Sequence, residues 1–250
     1  MQLEQVRHIG VMGGGVMGGG IAQILAIAGY DVTVRDLTQE ILDETREEIC
    51  NRRWGMKRAV ERGKLGFDLA EQAMGRIRYS TETSDLAACQ FVIEAVPERL
   101  DLKQEVFKEL DEAVNDDAIL TSNTSGFVIQ EIAEQVSHKR LPLVCGMHFS
   151  NPVPVMRMCE VIYTPDTSPE TIDTVQGVAE KSQRVVCMVR DTPGTRGFIL
   201  NRVFAAAARE ANKIVEDGIA TREDVDKAMI SGRNWPAGFF GSRGGIGKQW

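Results

Sequence analysis

Long hydrophobic runs are missing from these 250 residues. No apolar stretch approaches the roughly 18–20 residues that a membrane-spanning helix needs, so no membrane association is expected. Basic residues are also in short supply, with 29 Lys and Arg against 36 Asp and Glu and a formal charge of −7. Phosphate contacts need clustered cations, so an acidic chain is a poor general binder of nucleic acid, and no such partner is expected. The five cysteines are Cys50, Cys89, Cys145, Cys159 and Cys187, and no two form a CxxC. That spacing suggests no zinc site, and the odd number suggests no disulfide framework. No metal is therefore expected, and a reducing, cytoplasmic compartment fits. Met1-Gln2-Leu3-Glu4-Gln5 runs straight into a strand-like segment without a basic region followed by an apolar one, so no signal peptide is expected.

What remains is ordinary globular material, 43% hydrophobic and 26% charged. Val6 to Met12 reads as a buried strand, Met17 to Ala28 as a helix closed by Gly29, and Asp31 to Arg35 as a second strand. Strand–helix–strand within about 30 residues is the unit of a parallel sheet. A charged helical stretch follows from about Gln39 to Arg62, with Gly55 as a weak point, then a shorter helix over Asp68 to Met74. Strands are expected at Phe91–Val96, Ala118–Thr121, Leu143–Phe149, Met156–Tyr163 and Arg184–Val189. Leu102, Val106, Phe107, Leu110 and Val114 have helix spacing, and further helices are expected over Val128–Val136 and from Ser168 to Lys181. Met156, Met158 and Glu160 share one face of their strand. After Pro193 strands disappear, and helices are expected over Phe198–Asp217 and from Thr221. The expected architecture is α/β: a Rossmann-type, mostly parallel sheet over 1–192 and a short all-helical C-terminal domain over 193–250. A helical piece that small is marginal alone, so it is expected to pack on the first domain, on a second subunit, or both.

Gly13-Gly14-Gly15-Val16-Met17-Gly18 matches G-x-G-x-x-G between a strand and a helix. Gly13 permits the tight turn, Gly15 lets backbone approach a pyrophosphate, and Gly18 lets helix pack on strand. The helix start, with Val16 and Met17, supplies N–H groups and partial positive charge for phosphates. Asp36, 23 residues after Gly13, is placed to accept hydrogen bonds from the adenosine ribose and to repel a 2′-phosphate. NAD is therefore the expected cofactor, a preference that the neighbouring Arg35 tempers.

Three segments then carry polar groups at strand ends or helix starts, where such folds bind ligands. They are Ser122-Asn123-Thr124-Ser125, His148-Phe149-Ser150-Asn151-Pro152-Val153-Pro154 and Gly197-Phe198-Ile199-Leu200-Asn201-Arg202. His148 is one of three histidines, and a neutral imidazole can take the proton from an alcohol as hydride leaves carbon. Glu160, on the strand after the Pro152–Pro154 turn, is a suitable orienting partner, since a carboxylate on an apolar face is costly unless paired.

On these residues the chain resembles the L-3-hydroxyacyl-CoA dehydrogenase family, which includes the bacterial 3-hydroxybutyryl-CoA dehydrogenases. The matching pieces are Gly13 to Ala22, Glu94-Ala95-Val96-Pro97-Glu98, Ser122 to Gly126, His148 to Glu160, and Phe198 to Arg202. The resemblance implies NAD-dependent interconversion of (S)-3-hydroxyacyl-CoA and 3-ketoacyl-CoA, in fatty acid β-oxidation or a related route, by a homodimer. It implies that His148 is the base and that Glu160 orients it. Ser125 and Asn201 would hydrogen-bond the reacting oxygen or the thioester carbonyl, and Asn151 would support the loop. Ala95, Glu98, Lys103 and Ser122 would lie near the nicotinamide half of NAD. Arg58 and Arg62, four apart on the long helix, would meet the phosphates of coenzyme A, with Arg53, Lys57 and Lys64 adding charge. The chain departs from the family pattern at Gly194-Thr195-Arg196-Gly197-Phe198, where three residues stand between Pro-Gly and Phe. Two other readings stay open: a dehydrogenase of the same fold acting on another 3-hydroxy acid or a carrier-bound acyl group, and a non-catalytic, crystallin-like NAD-binding protein.

Overall fold

A computed structural model describes residues 2–241. They divide into two compact units, the second starting at Phe198. The first is built on an eight-stranded sheet in the order β3-β2-β1-β4-β5-β6-β7-β8. Its strands are β1 (His8–Met12), β2 (Asp31–Arg35), β3 (Ile77–Ser80), β4 (Phe91–Glu94), β5 (Ile119–Ser122), β6 (Val144–Phe149), β7 (Met158–Tyr163) and β8 (Val185–Arg190). Strands β3 to β6 in that order are parallel; β7 runs antiparallel to β6, and β8 is parallel to β7. The mostly parallel Rossmann-type sheet expected from the sequence is therefore present. Its central strands β4, β5 and β6 are buried along their whole length, the pattern of strands covered on both faces.

Helix α1 (Val16–Ile27) follows the glycine turn and is buried over most of its length. Its interior glycines have a packing reason. A Cβ at Gly20 would stand 2.9 Å from Val153 Cβ, so only glycine lets the Pro152–Pro154 turn seat against the helix.

The stretch read as one helix from Gln39 to Arg62 is two. Helix α2 (Gln39–Cys50) is capped by Thr38, whose hydroxyl accepts from Ile41 N. Helix α3 (Met56–Glu61) starts after Gly55. A Cβ at Gly55 would come within 2.8–2.9 Å of the Glu48 and Ile49 carbonyl oxygens, so the chain folds back on the end of α2 at the one residue that permits it. Helix α4 (Phe67–Gly75) then leads into β3, a four-residue strand with no expectation in the sequence. Helix α5 (Leu100–Ala113) buries Val106, Phe107 and Leu110 as its spacing requires. The helix expected over Val128–Val136 is shorter: α6 (Ile129–Ile132) gives way to a tighter 3₁₀ turn at Ala133–Gln135. Met156 is not in a strand, since β7 begins at Met158. Helix α7 (Pro169–Lys181) is capped by Ser168, which accepts from Thr171 N.

The second unit holds α8 (Ile199–Glu216) and α9 (Arg222–Arg233). Thr221 caps α9 by accepting from Asp224 N, and Asn234 ends it in the left-handed region. Phe204, Trp235 and Phe239 form a ring cluster with centroids 5.0–6.4 Å apart, and the buried Asp226 carboxylate accepts from Phe240 N at 3.0 Å. None of the described helices is long and apolar enough to cross a membrane.

Candidate active site

The carboxyl ends of β1, β2, β4 and β5 open onto a cleft of about 600 Å³, within the size range of cofactor sites. Its walls include Gly13, Gly15, Val16, Met17, Asp36, Ala95, Glu98 and Ser125, all of them residues singled out from the sequence. Gly13 has φ +108°, and a Cβ there would lie 2.7 Å from Ala95 O. A side chain at Gly13 is therefore opposed twice, by the backbone angle and by the neighbouring strand. A Cβ at Gly15 would meet nothing within 4 Å. Backbone is bare at that point of the cleft, beside the first N–H groups of α1, which have no partner inside the helix. The residues present therefore fit a dinucleotide pyrophosphate. Asp36 is fixed by two backbone donors, Gly14 N and Leu37 N, each at 2.6 Å, and the Thr45 hydroxyl donates to Gly14 O. Gly13→Ala is expected to weaken NADH binding at least about tenfold, since a left-handed non-glycine residue costs ~1–2 kcal/mol before any clash. A fluorescence titration matching the unmodified protein would refute this.

The second part of the site comes from the antiparallel pair. Strands β6 and β7 place His148 directly opposite Glu160, and His148 Nδ1 lies 2.7 Å from Glu160 Oε2. Both are buried, at 5% and 1% exposure. An ionised carboxylate only accepts hydrogen bonds, so Nδ1 carries the proton and Nε2 is the basic nitrogen. Asn123, a cleft residue, accepts from Phe149 N at 2.9 Å and ties the β5 loop to the end of β6. That bond links the cleft wall to the histidine strand.

Lys103 and Ser122, expected near the nicotinamide half of NAD, are 1% and 0% exposed and are not among the residues that line the cleft. Both serve Glu94, a buried carboxylate at the end of β4 to which the sequence reading assigned no role. Glu94 Oε1 accepts from Lys103 Nζ and Val96 N, each at 2.7 Å, and Oε2 accepts from the Ser122 hydroxyl at 2.6 Å. Burial pushes this carboxyl above its ordinary value, against the pull of Lys103, Ser122 and Val96. Lys103 Nζ also lies 3.3 Å from Glu98, and Glu98 Oε1 accepts from Thr124 Oγ1 and Ser125 N at 2.6 and 2.9 Å. One network, buried at Glu94, Lys103 and Ser122 and reaching the surface at Glu98, thus holds the wall at Ala95–Glu98 and the Ser125 loop together. A polar residue closing the apolar run Phe91-Val92-Ile93, with a lysine nine positions on, was the available signal.

Arg58 and Arg62 stand at the end of α3, with Arg62 as its cap and its N–H on Arg58 O, but their side chains have different partners. Arg58 pairs with Glu61 at 2.7 Å on the surface. Arg62, the helix cap, donates to Arg53 O and lies over the Trp54 ring. It lines a second cavity of about 450 Å³ with Arg53, Trp54, Lys64, Lys181 and Arg184. Lys181 and Arg184, from the end of α7 and the approach to β8, were not foreseen as part of a basic site. Asn151 is exposed beside Trp54, Val153 and Gly20. Asn201 lies exposed in the first turn of α8, in the second unit. The three residues that break the family pattern are anchored: Gly197 N donates to Gly126 O at 3.0 Å, and Arg196 lies over the Phe127 ring at 4.7 Å.

Comparison with known proteins decides the family. Residues 8–192 match the model for the 3-hydroxyacyl-CoA dehydrogenase NAD binding domain, and residues 197–248 match that for the C-terminal domain. The chain belongs to the 3-hydroxyacyl-CoA dehydrogenase family. It is accordingly an NAD-dependent oxidoreductase. It is 40% identical to a probable 3-hydroxybutyryl-CoA dehydrogenase of Deinococcus radiodurans over 92% of this chain and 79% of the relative. Identity to the human mitochondrial hydroxyacyl-coenzyme A dehydrogenase is 37%, over 94% of this chain and 74% of that one. The crystal structure of (S)-3-hydroxybutyryl-CoA dehydrogenase from Ralstonia eutropha superposes with a TM-score of 0.84 at 33% identity, covering 94% of this chain and 80% of that one.

Proposed function

We propose that this member of the family interconverts (S)-3-hydroxyacyl-CoA and 3-ketoacyl-CoA with His148 as the proton-transfer group. The observation that carries the reading is the 2.7 Å contact between His148 Nδ1 and Glu160, on the strand that Asn123 ties to the dinucleotide cleft. When bound, NAD supplies the hydride acceptor or donor. His148 Nε2 takes the proton of the 3-hydroxyl in the oxidative direction and returns it in reduction. Glu160 keeps the imidazole in one tautomer and stabilises the positive charge it gains. Ser125, on the cleft rim, donates a hydrogen bond to the reacting oxygen or the thioester carbonyl, and Asn151 supports the turn after the histidine. Asn201 would share the role of Ser125, supported by the family motif from Phe198 to Arg202. Ala95 and Glu98 face the nicotinamide half of the cofactor, with Lys103 and Ser122 bracing them from behind.

Coenzyme A phosphates are assigned to the cavity of Arg53, Arg62, Lys64, Lys181 and Arg184, with Arg58 left outside. Among the described residues no carboxylate lines this cavity, which suits a polyanion. The Arg53→Ala/Arg62→Ala variant is expected to raise KM for the CoA substrate roughly tenfold, since loss of uniform binding moves KM and not kcat. An unchanged KM removes the assignment. The same reading takes the chain as a cytoplasmic homodimer. The five cysteines, none of them in a disulfide, suit a reducing compartment, and the exposed Ile199, Leu200, Val203 and Phe204 of α8 suit a self-association face.

The deciding experiment is NADH oxidation with acetoacetyl-CoA, then across acyl chain lengths. Turnover is expected. Its absence, with activity on a free or carrier-bound 3-hydroxy acid, would transfer the reading to another substrate. NADH binding without turnover of any of these would make the protein non-catalytic.

A further inference from the structure

Asp36 is not alone at the ribose end of the cleft. Arg35, the last residue of β2, also lines it, and a cation at this place is what accommodates a 2′-phosphate in NADP-dependent relatives of the fold. The cleft therefore presents two residues of opposite preference side by side, and something must decide between them.

Few of the Arg35 donors are committed. Its Nε is buried with no hydrogen-bond partner. One terminal nitrogen reaches only Met12 Sδ, at 3.7 Å. The other lies 3.7 Å from Glu109 Oε1, close enough for charge attraction and too long for a good hydrogen bond. The arginine side chain is mostly buried, at 16% exposure, while Glu109 is 45% exposed. Glu109 stands on α5, and its Oε1 also accepts from the Thr83 hydroxyl, on the short turn before β4. The carboxylate is thus anchored by a second element, whereas the guanidinium is held by charge with most of its hydrogen-bonding capacity unspent. Asp36 is in the opposite condition, with both oxygens fixed by backbone N–H groups.

We propose that Glu109 sets the cofactor preference of the cleft by holding the Arg35 guanidinium aside, so that Asp36 and not Arg35 addresses the 2′ position of the ribose. Glu109 is a positioning residue here: it acts through Arg35. Neutralising it frees a cation that is already inside the cleft, and a 2′-phosphate is the ligand group that gains.

The inference rests on the cleft being the dinucleotide site, and direct binding separates the two. Dissociation constants for NADH and NADPH are measured by fluorescence titration for the unmodified chain, Glu109→Gln, Arg35→Leu and the double variant. Glu109→Gln is expected to shift the affinity ratio toward NADPH by about three- to tenfold, the reach of a partly buried ion pair. In the Arg35→Leu background the same substitution is expected to leave the ratio unmoved, because the group it releases is gone. A ratio within twofold of the unmodified value in Glu109→Gln overturns the proposal. So does an equal gain without Arg35, which would mean that removing a negative charge near the cleft acts by itself. Failure of the unmodified chain to bind NADH would strike the cleft assignment instead. NADH binding by each variant also reports that it is folded.

Discussion

His148→Gln is expected to lower kcat by about 10²–10⁴, the usual worth of a positioned general acid–base, with NADH affinity within twofold of the unmodified chain. The size of the effect follows from how the imidazole is held. It is buried on β6, opposite a carboxylate that is itself 1% exposed, so no other residue of the pair can take over the proton. Glutamine keeps the bulk and a hydrogen-bonding end but offers no basic nitrogen at this pH. Glu160→Gln probes the same device from the other side. Its amide can donate to Nδ1, which then accepts, and the ring proton moves to Nε2, where the base should be. A loss of about 10²-fold or more in kcat is expected from that wrong tautomer. Because the two act as one unit, the double variant is expected to be no slower than His148→Gln alone. Stopped-flow rates and steady-state kcat for the four proteins test this. A His148→Gln enzyme within tenfold of the unmodified one would end the assignment of His148 as base.

How far this could be read from the chain depends on how local each feature is. The glycine turn, β1, α1 and β2 are adjacent in sequence and carry their own spacing, so the turn, the helix and Asp36 were all legible. The His148–Glu160 pair was legible because only residues 150–157 separate two strands, and an antiparallel register then leaves little choice of partner. Gly55 read as a weak point in a helix, yet the break it causes depends on the backbone of α2 folding against it, a contact with no sequence period. The same applies to the basic cavity. Arg58 and Arg62 look paired at helical spacing, but Lys181 and Arg184 arrive from α7 and β8, far along the chain. Glu94 was the largest omission. Its role needs β4, β5 and α5 in place together, and before they meet it is one more carboxylate in an acidic sequence.

Lys103→Met is accordingly expected to cost about 3–5 kcal/mol of stability, because it leaves the Glu94 carboxylate buried without its cation. In thermal unfolding that is a fall in midpoint of roughly 10 °C or more. Both groups are at most 1% exposed, so water cannot replace the lost partner. The loss is expected to depend on pH with a definite sign. Burial already holds the Glu94 carboxyl above its ordinary value in the folded state, and removing Lys103 takes away the attraction that opposes this. A carboxyl raised in the folded state binds more protons folded than unfolded, so stability falls as pH rises from the unfolded value through the folded one. The variant is therefore expected to be least impaired at the acid end of its stable range. Glu94→Gln added to Lys103→Met removes the stranded charge and is expected to recover part of the stability, since an uncharged pair no longer needs compensation. It is not expected to recover NADH affinity fully, because Lys103 also braces Glu98, which holds Thr124 and Ser125 N. Denaturant titrations of the single and double variants at two pH values decide the point. A Lys103→Met protein as stable as the unmodified chain at neutral pH would show that the Glu94 charge is satisfied without Lys103, and that the cleft wall does not depend on this pair.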